Sequence, residues 1–201
     1  MIPGSFYHVY NHANGKENLF DELKNYSFFL EKISVHILSF VNLHAYCLLP
    51  NHFHLLVSIK EIDEIKLLES FKTFQKLPNE KLQPLIEKKI SKSFANLFSS
   101  YTQSFNKVYN RKGSLFMPNM KSEFIGDETG ICNVIHYIHA NPVHHGFVKE
   151  MRLWKYSSYN TYLSQLTTRL SKNIILDIFG GFEHFIQCHR QPVDLKCKWD
   201  I

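Results

Sequence analysis

"LHAYCLLPNHFHLLVSI", Leu43 to Ile59, carries the local signals of a β-hairpin, and the rest of the fold follows outward from it. Leu43 to Leu49 and His52 to Ile59 are short runs rich in apolar residues, and Pro50-Asn51 between them is a turn signal. Two strands joined in this way lie antiparallel as a hairpin. The second run carries His52 and His54 where Val or Ile would be usual. Residues i and i+2 of a strand share a face, so the two imidazoles stand side by side. Phe53, Leu55, Val57 and Ile59 fall on the opposite face, where a helix can cover them.

Upstream, Phe6 to Ala13 is aromatic and β-branched and runs into the turn cluster "NHANGK", so it reads as a first strand. Leu23, Tyr26, Phe29, Leu30, Ile33, Ile37 and Phe40 recur at helical spacing, which predicts a helix over 21–40 with Asp21 as its N-cap. Downstream, "EIDEIKLLESFKTF" has helical character, and "QKLPNEKLQP", with Pro78 and Pro84, reads as a surface excursion. Phe94, Leu97, Phe98, Tyr101, Phe105, Val108 and Tyr109 predict a second long helix over 91–110. Lys121 to Ile125 reads as a fourth strand. Asp127 or Thr129 then opens a third helix that Pro142 should stop. One further helix is expected near 159–170. Strand, helix, strand, strand, helix, strand is the order of a ferredoxin-like α/β sandwich, an α+β fold with a central antiparallel sheet.

The chain of 201 residues is long enough for one domain with embellishments. With 44% hydrophobic and 20% charged residues it has the composition of a soluble globular protein. A net charge of +5 permits a nucleic-acid partner. Cys47, Cys132, Cys188 and Cys197 form no Cys-x-x-Cys pair, so neither a zinc ribbon nor a thioredoxin signature is present. The first residues show no secretory pattern, and no apolar run approaches the roughly 18 residues of a membrane helix. A reduced, cytoplasmic protein with no membrane partner is expected. Phosphate-binding loops, dinucleotide fingerprints and nucleophile elbows are all missing from the sequence.

Paired imidazoles suit a metal, and equally suit two hydrogen-bonded core histidines. On the third helix Asn133, Tyr137 and Asn141 form a line at four-residue spacing beside the apolar stripe of Ile131, Val134, Ile135 and Ile138. Asn141 could add a carboxamide oxygen to the histidines; it could also simply end a helix before proline. Cys47 offers a zinc ligand instead. From Lys88 to Ser122 there is no Asp or Glu, while Lys107, Arg111, Lys112 and Lys121 are among seven basic residues in and beside that stretch. Such a run faces either phosphate or solvent.

"FYHVYNHANGKENLF", "HAYCLLPNHFHLLV", "YIHANPVHHGFV" and "WKYSSY", in this order, resemble the single-tyrosine HUH transposases, and among them the REP-associated tyrosine transposases of the insertion-sequence-200-like group. The resemblance spans residues 6–162, and "HFH" supplies its histidine–hydrophobe–histidine pattern. It implies the HUH fold over 1–160, with 161–201 as a C-terminal extension of unknown role. It further implies Tyr137 as catalytic nucleophile, His52, His54 and Asn141 as ligands of Mg²⁺ or Mn²⁺, and cleavage and rejoining of single-stranded DNA near hairpins through a 5′-phosphotyrosine. Lys107, Arg111, Lys112 and Lys121 are the candidate DNA contacts, and the family leaves room for a homodimer. The family commonly carries Trp-Gln-x-Arg after its second helix, where this chain reads "SLFMPNMK", with Phe116 in place of Trp and no arginine. That departure supports an alternative: a domesticated protein that binds hairpin DNA without transposing it.

Overall fold

The sheet is built around β1 (Phe6–His12), which pairs antiparallel with both β3 (His52–Ile59) and β4 (Lys121–Ile125). β2 (Val41–Leu49) completes it as the hairpin partner of β3, giving the order β2-β3-β1-β4. This is the strand order of a ferredoxin-like α/β sandwich, as the element order predicts. The computed structural model describes residues 1–192 apart from 69–71, 73 and 75.

All eight residues of β3 are buried, because both faces of the sheet are covered. One face carries Val9, Phe53, Leu55 and Val57 into a core closed by α1 (Leu23–His36) and α3 (Asn79–Val108). The other face carries Tyr10, Leu56, Ala45, Cys47 and Leu49 against α4 (Glu128–His144). A register shift between Leu43 and Ala45 lets β2 serve both layers: Leu43 joins the first core and Ala45 the second. His44, at the shift, is buried and bonded to Ser58 Oγ at 2.8 Å and to the Ser171 carbonyl at 2.9 Å.

Three expectations about helix ends are corrected. α3 starts at Asn79, not near residue 91, because the buried stripe continues upstream through Leu82, Ile86 and Ile90. Pro84 sits on the exposed side of that helix, where one lost backbone bond can be replaced by water. α1 is capped by Glu22 in a capping box with Asn25, not by Asp21. α4 continues through Pro142 to His144; the chain then turns back at Gly146 (φ 73°), and Phe147 N–H donates to the Pro142 carbonyl at 2.9 Å. Asp127 is its N-cap, accepting from Gly130 N–H at 2.6 Å. The short α2 (Ile62–Lys66) begins the segment read as helical over 61–74, part of which lies outside the described residues.

The segment after α4 seals the sheet. Trp154 Nε1–H donates to the Leu48 carbonyl at 3.0 Å, and Leu48 and Ser158 N–H groups pair across to Tyr156 and Tyr46, covering the open edge of β2. The helix expected over 159–170 ends early, as α5 (Tyr159–Leu163), and two further short helices follow it, α6 (Lys172–Ile178) and α7 (Phe182–His189). Tyr162, Ile175, Phe179 and Phe185 complete the second core, so α5, α6 and α7 pack on the layer that contains α4.

Candidate active site

Register places four histidines and a tyrosine on the α4 side of the sheet. Tyr10 stands opposite His54, and His12 opposite His52, so alternation along β1 sends His8, Tyr10 and His12 to the face that bears the paired imidazoles. His8 Nε2 lies 3.0 Å from His54 Nδ1. The ring of Tyr137, from α4, meets the His54 ring edge-on, with centroids 5.3 Å apart and planes at 89°. One helical turn further on, Asn141 Oδ1 lies 3.1 Å from His52 Nε2. The fold therefore brings His52, His54, Tyr137 and Asn141 into one cluster. Tyr137 is only 2% exposed, and His52, His54 and Asn141 no more than 3%.

Burial sets the charge state of the cluster. It lowers His52 to about 4, with the nearby His145 and His12 lowering it further against the Asn141 contact. His54 is pushed well below its ordinary value, first by burial and then by His8, His52 and His145. His8 falls to about 3 through burial, opposed by the carboxylate of Glu123. The two paired imidazoles are thus neutral at physiological pH, the form in which a ring nitrogen can ligate a metal. Tyr10 donates to Glu123 Oε1 at 3.0 Å; burial and this carboxylate raise its phenol to about 12.

The cluster fits a divalent cation on two observations. His54 Nε2 is buried and makes no hydrogen bond among the described residues, in an environment where buried polar atoms are ordinarily satisfied. The 3.1 Å between His52 Nε2 and Asn141 Oδ1 also matches adjacent ligands on an octahedral cation, about 3 Å apart for bonds of about 2.1 Å. Among the described residues no group of three or more His, Cys, Asp or Glu could hold a metal ion, so any third protein ligand falls to an amide such as Asn141. Cys47 stands opposite His54 in the sheet and is fully buried, and burial raises its thiol well above the ordinary range.

The four candidate DNA contacts are placed differently. Lys107 is exposed at the end of α3, Lys112 is exposed in the loop after it, and Lys121 is exposed on β4, opposite Tyr10. Arg111 is committed internally: it pairs with Glu17 and donates to Asn106 Oδ1 and to the carbonyls of Gly113 and Ser114. Phe116 is buried in the first core beside Phe98, at a ring-centroid distance of 4.8 Å. Sequence reasoning missed His12 and Asn51, which reach the cluster through His52. The alternation of His8, Tyr10 and His12 was the signal that could have found the first.

No family model matches the chain. A Haemophilus influenzae protein provisionally assigned as a REP-associated tyrosine transposase is 30% identical over 121 residues, covering 58% of this chain and 57% of the relative. The chain therefore matches little more than half the length of that relative. A solved structure of a REP-associated tyrosine transposase bound to a REP hairpin has the same fold, with a TM-score of 0.54 and 17% identity, over 87% of this chain and 88% of the other. The chain is thus similar over part of its length to one REP-associated tyrosine transposase and shares the fold of another, in keeping with the resemblance carried by its four sequence segments.

Proposed function

We propose that the chain cleaves and rejoins single-stranded DNA beside a hairpin, with Tyr137 as nucleophile and His52, His54 and Asn141 as ligands of a divalent cation, Mg²⁺ or Mn²⁺. The observation that supports this most is the meeting of Tyr137 with His54, one helical turn from the Asn141 contact to His52. When bound, the cation supplies a Lewis acid for a non-bridging phosphate oxygen. The chain's own residues do the rest. The Tyr137 oxygen attacks phosphorus, its O–P bond forms as the bond to the 3′ oxygen breaks, and the leaving strand takes up a proton as a 3′-hydroxyl. The phenol gives up its proton as the new bond forms, and the 3′ oxygen gains one as the old bond breaks, so protons balance across the step. The phosphotyrosine keeps the energy of the broken phosphodiester, so a second 3′-hydroxyl can reverse the step without ATP. Exposed Lys112 and Lys121 supply positive charge for the DNA backbone.

The near-complete burial of Tyr137 favours a second reading, in which the chain holds a hairpin and does not cut it. One experiment separates them: incubation with Mn²⁺ and a 5′-tailed, labelled hairpin oligonucleotide, followed by denaturing electrophoresis. Cleavage predicts a protein–DNA adduct that is lost in Tyr137→Phe while hairpin binding survives. An adduct that persists in Tyr137→Phe removes the nucleophile assignment. Tight, salt-sensitive hairpin binding with no adduct in any metal supports the binding-only reading.

A further inference from the structure

A chain of hydrogen bonds behind His52 dictates which of its ring nitrogens carries the proton. It begins at a group whose role is not negotiable. The Ala13 carbonyl can only accept, and His12 Nδ1 lies 2.8 Å from it, so Nδ1 of His12 bears the hydrogen. In neutral His12 the other nitrogen, Nε2, is then an acceptor. Asn51 Nδ2 lies 2.9 Å from it and donates. That orients the Asn51 amide and turns its Oδ1 toward His52 Nδ1 at 2.8 Å, where it accepts. His52 must therefore carry its proton on Nδ1, leaving Nε2 bare and aimed at Asn141 Oδ1.

We infer that Asn51, anchored through His12, is a positioning residue that fixes His52 in the tautomer whose Nε2 lone pair faces the cation site. The backbone holds the relay in place. Asn51 sits in the hairpin turn, where its carbonyl accepts from Ala13 N–H at 2.7 Å. His12 and His52 are register partners, and their rings stack with planes 8° apart. The Asn141 contact becomes intelligible as well. A bare nitrogen 3.1 Å from a carbonyl oxygen is two lone pairs face to face, which a cation between them relieves. Without a cation, a turn of the Asn141 amide that brings Nδ2 to His52 relieves it instead, and amide orientation follows the hydrogen-bond network. Outer partners of this kind orient metal-binding histidines and raise their basicity.

The purpose of the relay rests on His52 being a metal ligand, and the test separates the two. Long-range ¹H–¹⁵N correlation on metal-free, ¹⁵N-labelled protein reads the His52 tautomer directly, and a Mn²⁺ titration followed by electron paramagnetic resonance reads affinity. Wild-type protein should show Nδ1–H and a bare Nε2. Asn51→Leu should move His52 toward the Nε2–H form and weaken Mn²⁺ binding roughly tenfold to a hundredfold. Asn51→Asp should keep both properties, because a carboxylate still accepts from Nδ1–H. His12→Phe, which leaves the ring and removes the acceptor, should move the tautomer in the same direction as Asn51→Leu. An Nδ1–H tautomer retained in both Asn51→Leu and His12→Phe overturns the relay. A tautomer that moves as stated in a protein that never binds Mn²⁺ upholds the relay and removes the cation reading.

Discussion

Acidification should unfold this protein in a pH range where most of its carboxylates are still charged. Burial lowers His8 and His189 to about 3 and His52 to about 4, from an ordinary histidine value of 6.5. His54 and His139 are also held well below their ordinary value by burial. In the unfolded chain each of these rings takes up a proton below 6.5; in the folded chain it does not. Unfolding therefore binds protons between about pH 6.5 and the folded value, and stability falls as pH falls through that window. One such group contributes about 1.4 kcal/mol per pH unit. His8, His52 and His189 together give a slope of about 4 kcal/mol per pH unit near pH 5. Against a typical stability of roughly 5–15 kcal/mol, one or two pH units suffice to unfold the domain. Urea unfolding at pH 7.5, 6.5 and 5.5, in the presence of a chelator, measures this. Full stability is expected above pH 6.5, with a loss of several kcal/mol by pH 5.5. A change below about 1 kcal/mol across that range would refute the claim that these rings are buried and neutral.

Five other outcomes follow from particular residues. Tyr101 is fully buried and donates to the Leu19 carbonyl at 2.6 Å, so Tyr101→Phe should cost about 1–2 kcal/mol in urea unfolding by leaving that oxygen unpaired. Phe185→Ala empties a site packed against Tyr162, Phe179 and His189; a loss of about 3–5 kcal/mol is expected, with faster amide exchange in α4 than in α1. Asp127→Ala removes the N-cap of α4 and should cost about 1 kcal/mol of stability, read from the thermal midpoint. If Lys112 and Lys121 contact DNA phosphates, Lys112→Gln and Lys121→Gln should each lower the salt slope of hairpin binding by about one unit. Arg111→Gln should instead lower thermal stability, because its guanidinium holds Glu17 and the loop after α3.

The sheet was legible because alternation and turn residues are local signals. Leu43 to Ile59 reads as a hairpin from its own letters, and both strands stand where those letters put them. The start of α3 was not legible, because Pro78 and Pro84 look like breakers whether or not the carbonyl they leave unbonded faces water. Pro142 misleads for the same reason: a proline near the end of a helix removes one bond and need not stop it. The grouping of the site depended on long-range register. His52 and His54 announce themselves as a pair, but Tyr137 and Asn141 reach them from another element, and it was the family resemblance that associated them. His12 and Asn51 were overlooked because the pairing of β1 with β3 is written nowhere near either residue. Arg111 was read from a run of positive charge, and composition does not say that Glu17, far away in sequence, would claim it.

Cleavage as proposed requires one shared site for His52, His54, Asn141 and Tyr137. Anomalous X-ray scattering from Mn²⁺ in crystals of the protein with a hairpin oligonucleotide would locate that site directly. One peak is expected, about 2.1–2.3 Å from His52 Nε2, His54 Nε2 and Asn141 Oδ1, with the Tyr137 hydroxyl facing a phosphate at the same peak. A Mn²⁺ peak elsewhere, or one at the histidines with Tyr137 still sealed in the second core while DNA is bound, would contradict it.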